Sequence, residues 1–175
     1  MNRGRTRRAY VVPERWEAHT LARSYAGLAK SLHVSSPVPM VGRHGHPLGE
    51  GTVLRALYDG LSNFDAAAQE LCVAFVVAPV YFSGSGYFRA AMARRLRNCE
   101  LQPHQVEVLR TGLVSIFESG EFGSEARELV RLLVHIGPGR EAERLSRLRE
   151  SENAKSRWAC AWFDARRRVA LESQG

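Results

Sequence analysis

The chain has 175 residues, of which 45% are hydrophobic, 9% aromatic and 25% charged, enough apolar side chain for one globular domain with a core and far from the composition of a disordered tail. Its 25 basic residues include only two lysines, Lys30 and Lys155, and stand against 18 acids for a formal net charge of +7. That balance suits a polyanionic or acidic partner, although arginine bias also follows from GC-rich coding. Cys72, Cys99 and Cys160 are odd in number and far apart, which excludes a disulfide framework and offers no paired CxxC zinc spacing, so a reducing compartment is expected. The longest nearly charge-free apolar run, residues 71–82, is interrupted by Pro79 and is much shorter than the roughly 20 residues that a membrane helix needs.

Residues 1–12 form a basic arm carrying Arg3, Arg5, Arg7 and Arg8 with no acid before Glu14. Three readings stand side by side: an acid-poor organelle-targeting remnant, a basic arm laid on nucleic acid, or a solvated tail. Residues 13–49 combine a helix and a long connection. Pro13 suits the first turn of that helix, and Trp16, Leu21, Tyr25, Leu28 and Leu32 recur at helical intervals up to about His33. Residues 34–49, with three prolines and three glycines, predict an extended segment that lies on a partner.

From Glu50 a string of helices is expected through residue 136. Val53, Leu54, Leu57, Tyr58 and Leu61 make one stripe, and Ala68, Leu71, Cys72, Phe75 and Val76 a second that Pro79 ends. Tyr87, Phe88, Ala91, Met92 and Leu96 make a third. Pro103 opens a fourth with Val106, Leu109, Leu113, Ile116 and Phe117, and Leu129, Val130, Leu133 and Ile136 mark a fifth. The C-terminal part, 137–175, begins at a Gly-Pro-Gly break, continues through Ala142, Leu145 and Leu148, and ends in a helix with an inner face of Ala154, Trp158, Ala161, Trp162, Ala165 and Val169. One β-rich stretch, FVVAPVYF at 75–82, has the composition of a buried strand but nothing to pair with.

A shift of 37 residues lays the chain on itself without a gap: Phe64 falls on Leu101, Leu71 on Val108, Cys72 on Leu109, Val76 on Leu113, Val80 on Phe117, Met92 on Leu129 and Leu96 on Leu133. Ser83-Gly84 nearly meets Ser119-Gly120. The pattern is a helical hairpin that cannot bury its apolar face alone and stacks on its copy. The fold expected is therefore all-α, made of stacked helical hairpins in a short α-solenoid-like array, with an extended basic N-terminal arm.

The stretch LQPHQVEVLRTGLVSIFESGEFGSEARELVRLL at 101–133 resembles the helical-hairpin repeats of organellar RNA-associated proteins, the heptatricopeptide and octotricopeptide families, with FAST-kinase-like and RAP proteins as relatives. The resemblance spans residues 64–136 and lies mainly in apolar spacing. No RAP-type C-terminal domain follows, and two repeats are too few for a free-standing reader of RNA sequence. The resemblance implies an RNA-associated organellar protein and a subunit of an organellar ribosome. The mitochondrion is the compartment expected, with the cytoplasm as the alternative.

Charge falls in blocks. Residues 1–49 hold eight basic and two acidic groups, 50–87 one and four, 88–98 four and none, 99–139 three and six, and 140–175 nine and six. On the helix at 88–98, Arg94 and Arg97 are expected to point away from the core stripe while Arg89 and Arg95 flank it. These four either hold phosphates in bidentate fashion or pair with the acidic helices that follow. Arg166, Arg167 and Arg168 fan over about 200° of a helix and, with Lys155 and Arg157, can meet a shallow RNA surface. Trp158 and Trp162, one turn apart, either stack on bases or pack on a neighbouring helix.

Residues of catalytic type appear in no recognisable setting. His44 and His46 lack a third metal ligand at useful spacing, as does Cys99 with His104. The only Gly-rich loop, residues 83–86, has no preceding strand and no GK[ST], and no GxSxG elbow occurs. Glu141 with Glu143, and Glu150 with Glu152, alternate with arginines as solvated helix faces do. The function expected is a non-catalytic structural subunit of a large ribonucleoprotein that contacts rRNA and neighbouring proteins, without cofactor, metal or membrane. The alternative is a protein-only adaptor or assembly subunit of a multiprotein complex.

Overall fold

A computed structural model describes residues 16–40 and 49–172. Arg3, Arg5, Arg7, Arg8, His44 and His46 lie outside the described residues. The described chain is all-α, without a strand: α1 (Ala18–Ser31), α2 (Glu50–Ser62), α3 (Ala66–Val77), α4 (Ser85–Leu96), α5 (Pro103–Ser119), α6 (Ala126–Ile136), α7 (Ala142–Arg147) and α8 (Ala154–Glu172), with single 3-10 turns at Gly139–Glu141 and Leu148–Glu150. None of these helices is long and apolar enough to cross a membrane.

Local chemistry sets the boundaries. The Asp65 carboxylate accepts the Ala67 and Ala68 N–H groups at 2.9 and 3.0 Å and so caps α3. Pro103 opens α5, where the Gln105 side chain accepts the Gln102 N–H at 2.9 Å. Gly120, at φ +68°, closes that helix in the left-handed conformation.

Helix α3 is apolar on nearly every side, with Ala67, Ala68 and the run Leu71–Val76 buried, and it occupies the centre of the fold. α1, α2, α4 and α5 all pack on it, α6 packs on α4 and α5, and α8 closes over α5 and α6. The 37-residue register lays α3 on α5 and α4 on α6. Cys72 and Leu109, Val76 and Leu113, Met92 and Leu129, and Leu96 and Leu133 are buried as pairs. Val108 and Val80 are only half-buried where the register sets them against buried Leu71 and Phe117, and Phe64 stands 85% exposed in the α2–α3 turn at φ +56°.

Two expectations need correction, on Tyr87 and on α8, while the β-rich stretch forms no strand, in keeping with its lack of a partner to pair with. The β-rich stretch ends α3 at Val77 and then runs on as a non-helical connection. The Ala78 and Val80 carbonyls, which a neighbouring strand would have bonded, accept from the Arg89 guanidinium instead at 2.9 and 2.8 Å. Tyr87 is not part of the inner stripe of α4 but 68% exposed, because the buried face runs through Ser85, Arg89, Met92, Ala93 and Leu96. α8 is turned from the face expected: it buries Ser156, Ala159, Cys160 and Phe163, and leaves Trp158, Ala161, Ala165 and Val169 on the outside. Small residues at 156, 159 and 160 let the helix approach α5 and α6 closely, and the Ser156 hydroxyl donates to the Glu118 carbonyl at 3.3 Å.

Candidate nucleic-acid interface

The four arginines of 88–98 separate by environment. Arg89 is 1% exposed: its Nη1 donates to Glu125 Oε1 at 3.2 Å, and its guanidinium lies 5.5 and 6.0 Å from the ring centres of Tyr81 and Phe75. Enclosed in the interior, with Nη1 and Nη2 donating to protein acceptors, it cannot reach a phosphate, which corrects its assignment to an RNA surface. It is an internal pin that joins α4, the 78–80 connection and the start of α6.

Arg94 and Arg97 reach Glu128 at 3.4 and 2.9 Å, and Arg131 binds the same carboxylate. Burial alone pushes the Glu128 carboxyl upward, but the hydrogen bonds and charges of Arg94 and Arg131 outweigh it and hold the group below its ordinary range. Arg95 lies 5.2 Å from the centre of the Tyr58 ring. Of the two readings of this helix, pairing with the acidic elements that follow is the one the geometry displays. Sequence reasoning did not single out Glu125 and Glu128, which lie more than 30 positions away; their signal was an acidic block following a basic one.

The same neutralisation recurs downstream. Arg110 and Arg140 meet Glu107 at 2.6 and 3.1 Å. Arg144 bridges Glu118 and Glu141, each at 2.5 Å. Arg149 reaches Asp164 at 2.9 Å.

α8 is different. Arg166, Arg167 and Arg168 are exposed and, among the described residues, have no carboxylate within ion-pair distance. Arg166 sits 5.0 Å over Trp162, which Arg131 of α6 also approaches at 5.6 Å. The indoles of Trp158 and Trp162 are stacked, with centres 5.8 Å apart and planes 10° apart, and Phe122 adds a third ring 6.2 Å from Trp158. Trp158 remains 39% exposed. Beside it, Phe122, Gly123, Ala126, Ala154 and Lys155 line a recess of about 400 Å³, where Lys155 Nζ donates to the Phe122 carbonyl at 3.0 Å. Arg157 does not join this surface, since its Nη1 donates to the Ser151 and Glu152 carbonyls at 2.7 and 2.9 Å.

Among the described residues no group of three His, Cys, Asp or Glu side chains is placed to hold a metal ion. Comparison with known proteins gives no match to a family, to a curated protein or to a solved structure.

Proposed function

We propose that the chain is a non-catalytic structural subunit of a ribonucleoprotein, with α3–α4 and α5–α6 acting as stacked helical hairpins and α8 presenting arginines to RNA. The observation that carries this reading is selective neutralisation. Glu107, Glu118, Glu125, Glu128 and Glu141 absorb most arginines of α4 to α7, Arg95 and Arg127 excepted, whereas Arg166, Arg167 and Arg168 stand together without acidic partners among the described residues. Exposed guanidinium groups gathered on one helix favour a phosphate backbone, which rewards cations through counterion release. The mitochondrial ribosome, with rRNA and neighbouring subunits as partners, follows from the resemblance of residues 101–133 to organellar repeats, and the basic arm would add a second contact.

The isolated chain should bind RNA with steep salt dependence and little sequence preference. Undetectable binding at low salt, or binding indifferent to salt, would overturn the reading. A protein-only adaptor is the second reading, favoured by Phe64, an 85% exposed aromatic held at φ +56°, a conformation bulky residues rarely adopt. Loss of a protein partner in Phe64→Ser, with RNA association intact, would support it.

A further inference from the structure

We propose that the α6–α8 face is a stacking platform for unpaired bases, so that the RNA it takes is single-stranded. This rests on the RNA reading above and narrows it to one class of RNA and one place on the molecule. Trp158, Trp162 and Arg166 follow one another at every fourth position of α8, and residues spaced that way share a helix face. They form a row of two stacked indoles ended by a guanidinium. Arg131, which Glu128 already holds, borders the row from α6, and Arg127, one turn earlier on α6, is exposed with no ion-pair partner among the described residues.

Trp162 is covered by the Trp158 indole and the Arg166 guanidinium, so the aromatic surface left open is that of Trp158, 39% exposed beside the recess, with Arg166 and Arg127 as the nearby cations that no carboxylate holds among the described residues. That arrangement matches a strand that lays a base on the open indole while its phosphates meet guanidinium groups. The recess between Phe122 and Trp158 extends the aromatic surface inward, and Lys155 stands at its wall. A duplex keeps its bases paired and stacked on one another, so it can engage the arginines but not the indoles. A purely acidic segment such as polyglutamate would answer the charge but has no flat ring to lay on the indole.

The test compares a mixed-sequence single-stranded oligoribonucleotide with a duplex of equal length, read by fluorescence anisotropy at low salt and by intrinsic tryptophan emission. The single strand should bind more tightly and quench tryptophan emission. Trp158→Ala should weaken single-strand binding about tenfold while leaving duplex binding and the salt slope unchanged, and Trp158→Phe should recover most of the loss. Unchanged circular dichroism and urea midpoints would show that both variants remain folded. Equal affinity for the two RNAs, or no effect of Trp158→Ala on the single strand, overturns the platform while leaving the RNA reading standing. Failure of both RNAs to bind overturns both. Quenching and competition by polyglutamate as effective as those by the single strand would make the partner an acidic protein and overturn the platform.

Discussion

Arg89 shows how far one residue's role depends on contacts remote in sequence. Placed among four arginines with no acid between them, it has the local context of a phosphate contact. In the fold it is enclosed, with Glu125 and two backbone carbonyls as acceptors. Arg89→Met should therefore cost about 3–5 kcal/mol in urea unfolding, because it strands the Glu125 carboxylate in the interior, and adding Glu125→Gln should return part of that loss. Arg94→Ala should cost less than about 1 kcal/mol, since that side chain is 66% exposed and its ion pair lies in high dielectric. A second buried device ties the N-terminal part to the core. The Tyr25 hydroxyl donates to Asp65, the cap of α3, and accepts the Val38 N–H at 2.5 Å. Burial first, and then the Asp65 bond, push the Tyr25 phenol well above its ordinary range, so it stays neutral. Tyr25→Phe should lower stability by about 1–3 kcal/mol by leaving the Val38 amide and the Asp65 carboxylate short of a partner.

At the scale of elements, close packing of α3 on α5 depends on Gly112. A Cβ built there falls inside the Val77 side chain. Gly112→Ala should accordingly destabilise the protein by about 1–3 kcal/mol in chemical denaturation, even though alanine is the better helix former by roughly 1 kcal/mol. The helices themselves were legible in the sequence because their signals are local: Pro103 at the start of α5, Gly120 after its end, and apolar spacing in α2, α3 and α6. The face of α8 was not. Its sequence carries two apolar stripes, one bulky through Trp158 and Trp162 and one small through Ala159 and Cys160, and bulk alone favours the first. In the fold α5 and α6 cover the face of Ser156, Ala159, Cys160 and Phe163, and Trp162 packs at its edge. Periodicity at 156, 159, 160 and 163 was present to be seen, yet nothing within the helix says which stripe a neighbour will cover.

At the scale of the whole molecule, the basic and acidic blocks from α4 onward pair internally in most places among the described residues, and the largest group of arginines without a carboxylate partner there lies on α8. The acidic half of this pattern carries a pH dependence. Burial raises and arginine contacts more than offset in Glu128 and in Glu141, so both carboxyls titrate below their ordinary value of 4.5 in the folded state. A lowered folded value means that their contribution is complete above the ordinary carboxyl range and is lost as pH falls through the lowered values. Urea midpoints of the wild type and of Glu128→Gln should thus differ most at about pH 7, and the difference should shrink as pH falls below the ordinary carboxyl range. The basic half was legible as a quantity but not as a place, because for the arginines of α4 the partners lie more than 30 positions away on the next hairpin. The most direct measurement of the claim that α8 faces RNA is the salt dependence of RNA binding by the full chain and by Arg166→Gln/Arg167→Gln/Arg168→Gln. The affinity should fall linearly on a logarithmic salt scale, and the triple variant should bind more weakly with a slope reduced by roughly one for each arginine that contacts phosphate. An unchanged slope and affinity in that variant, or no binding by either protein at low salt, would contradict it.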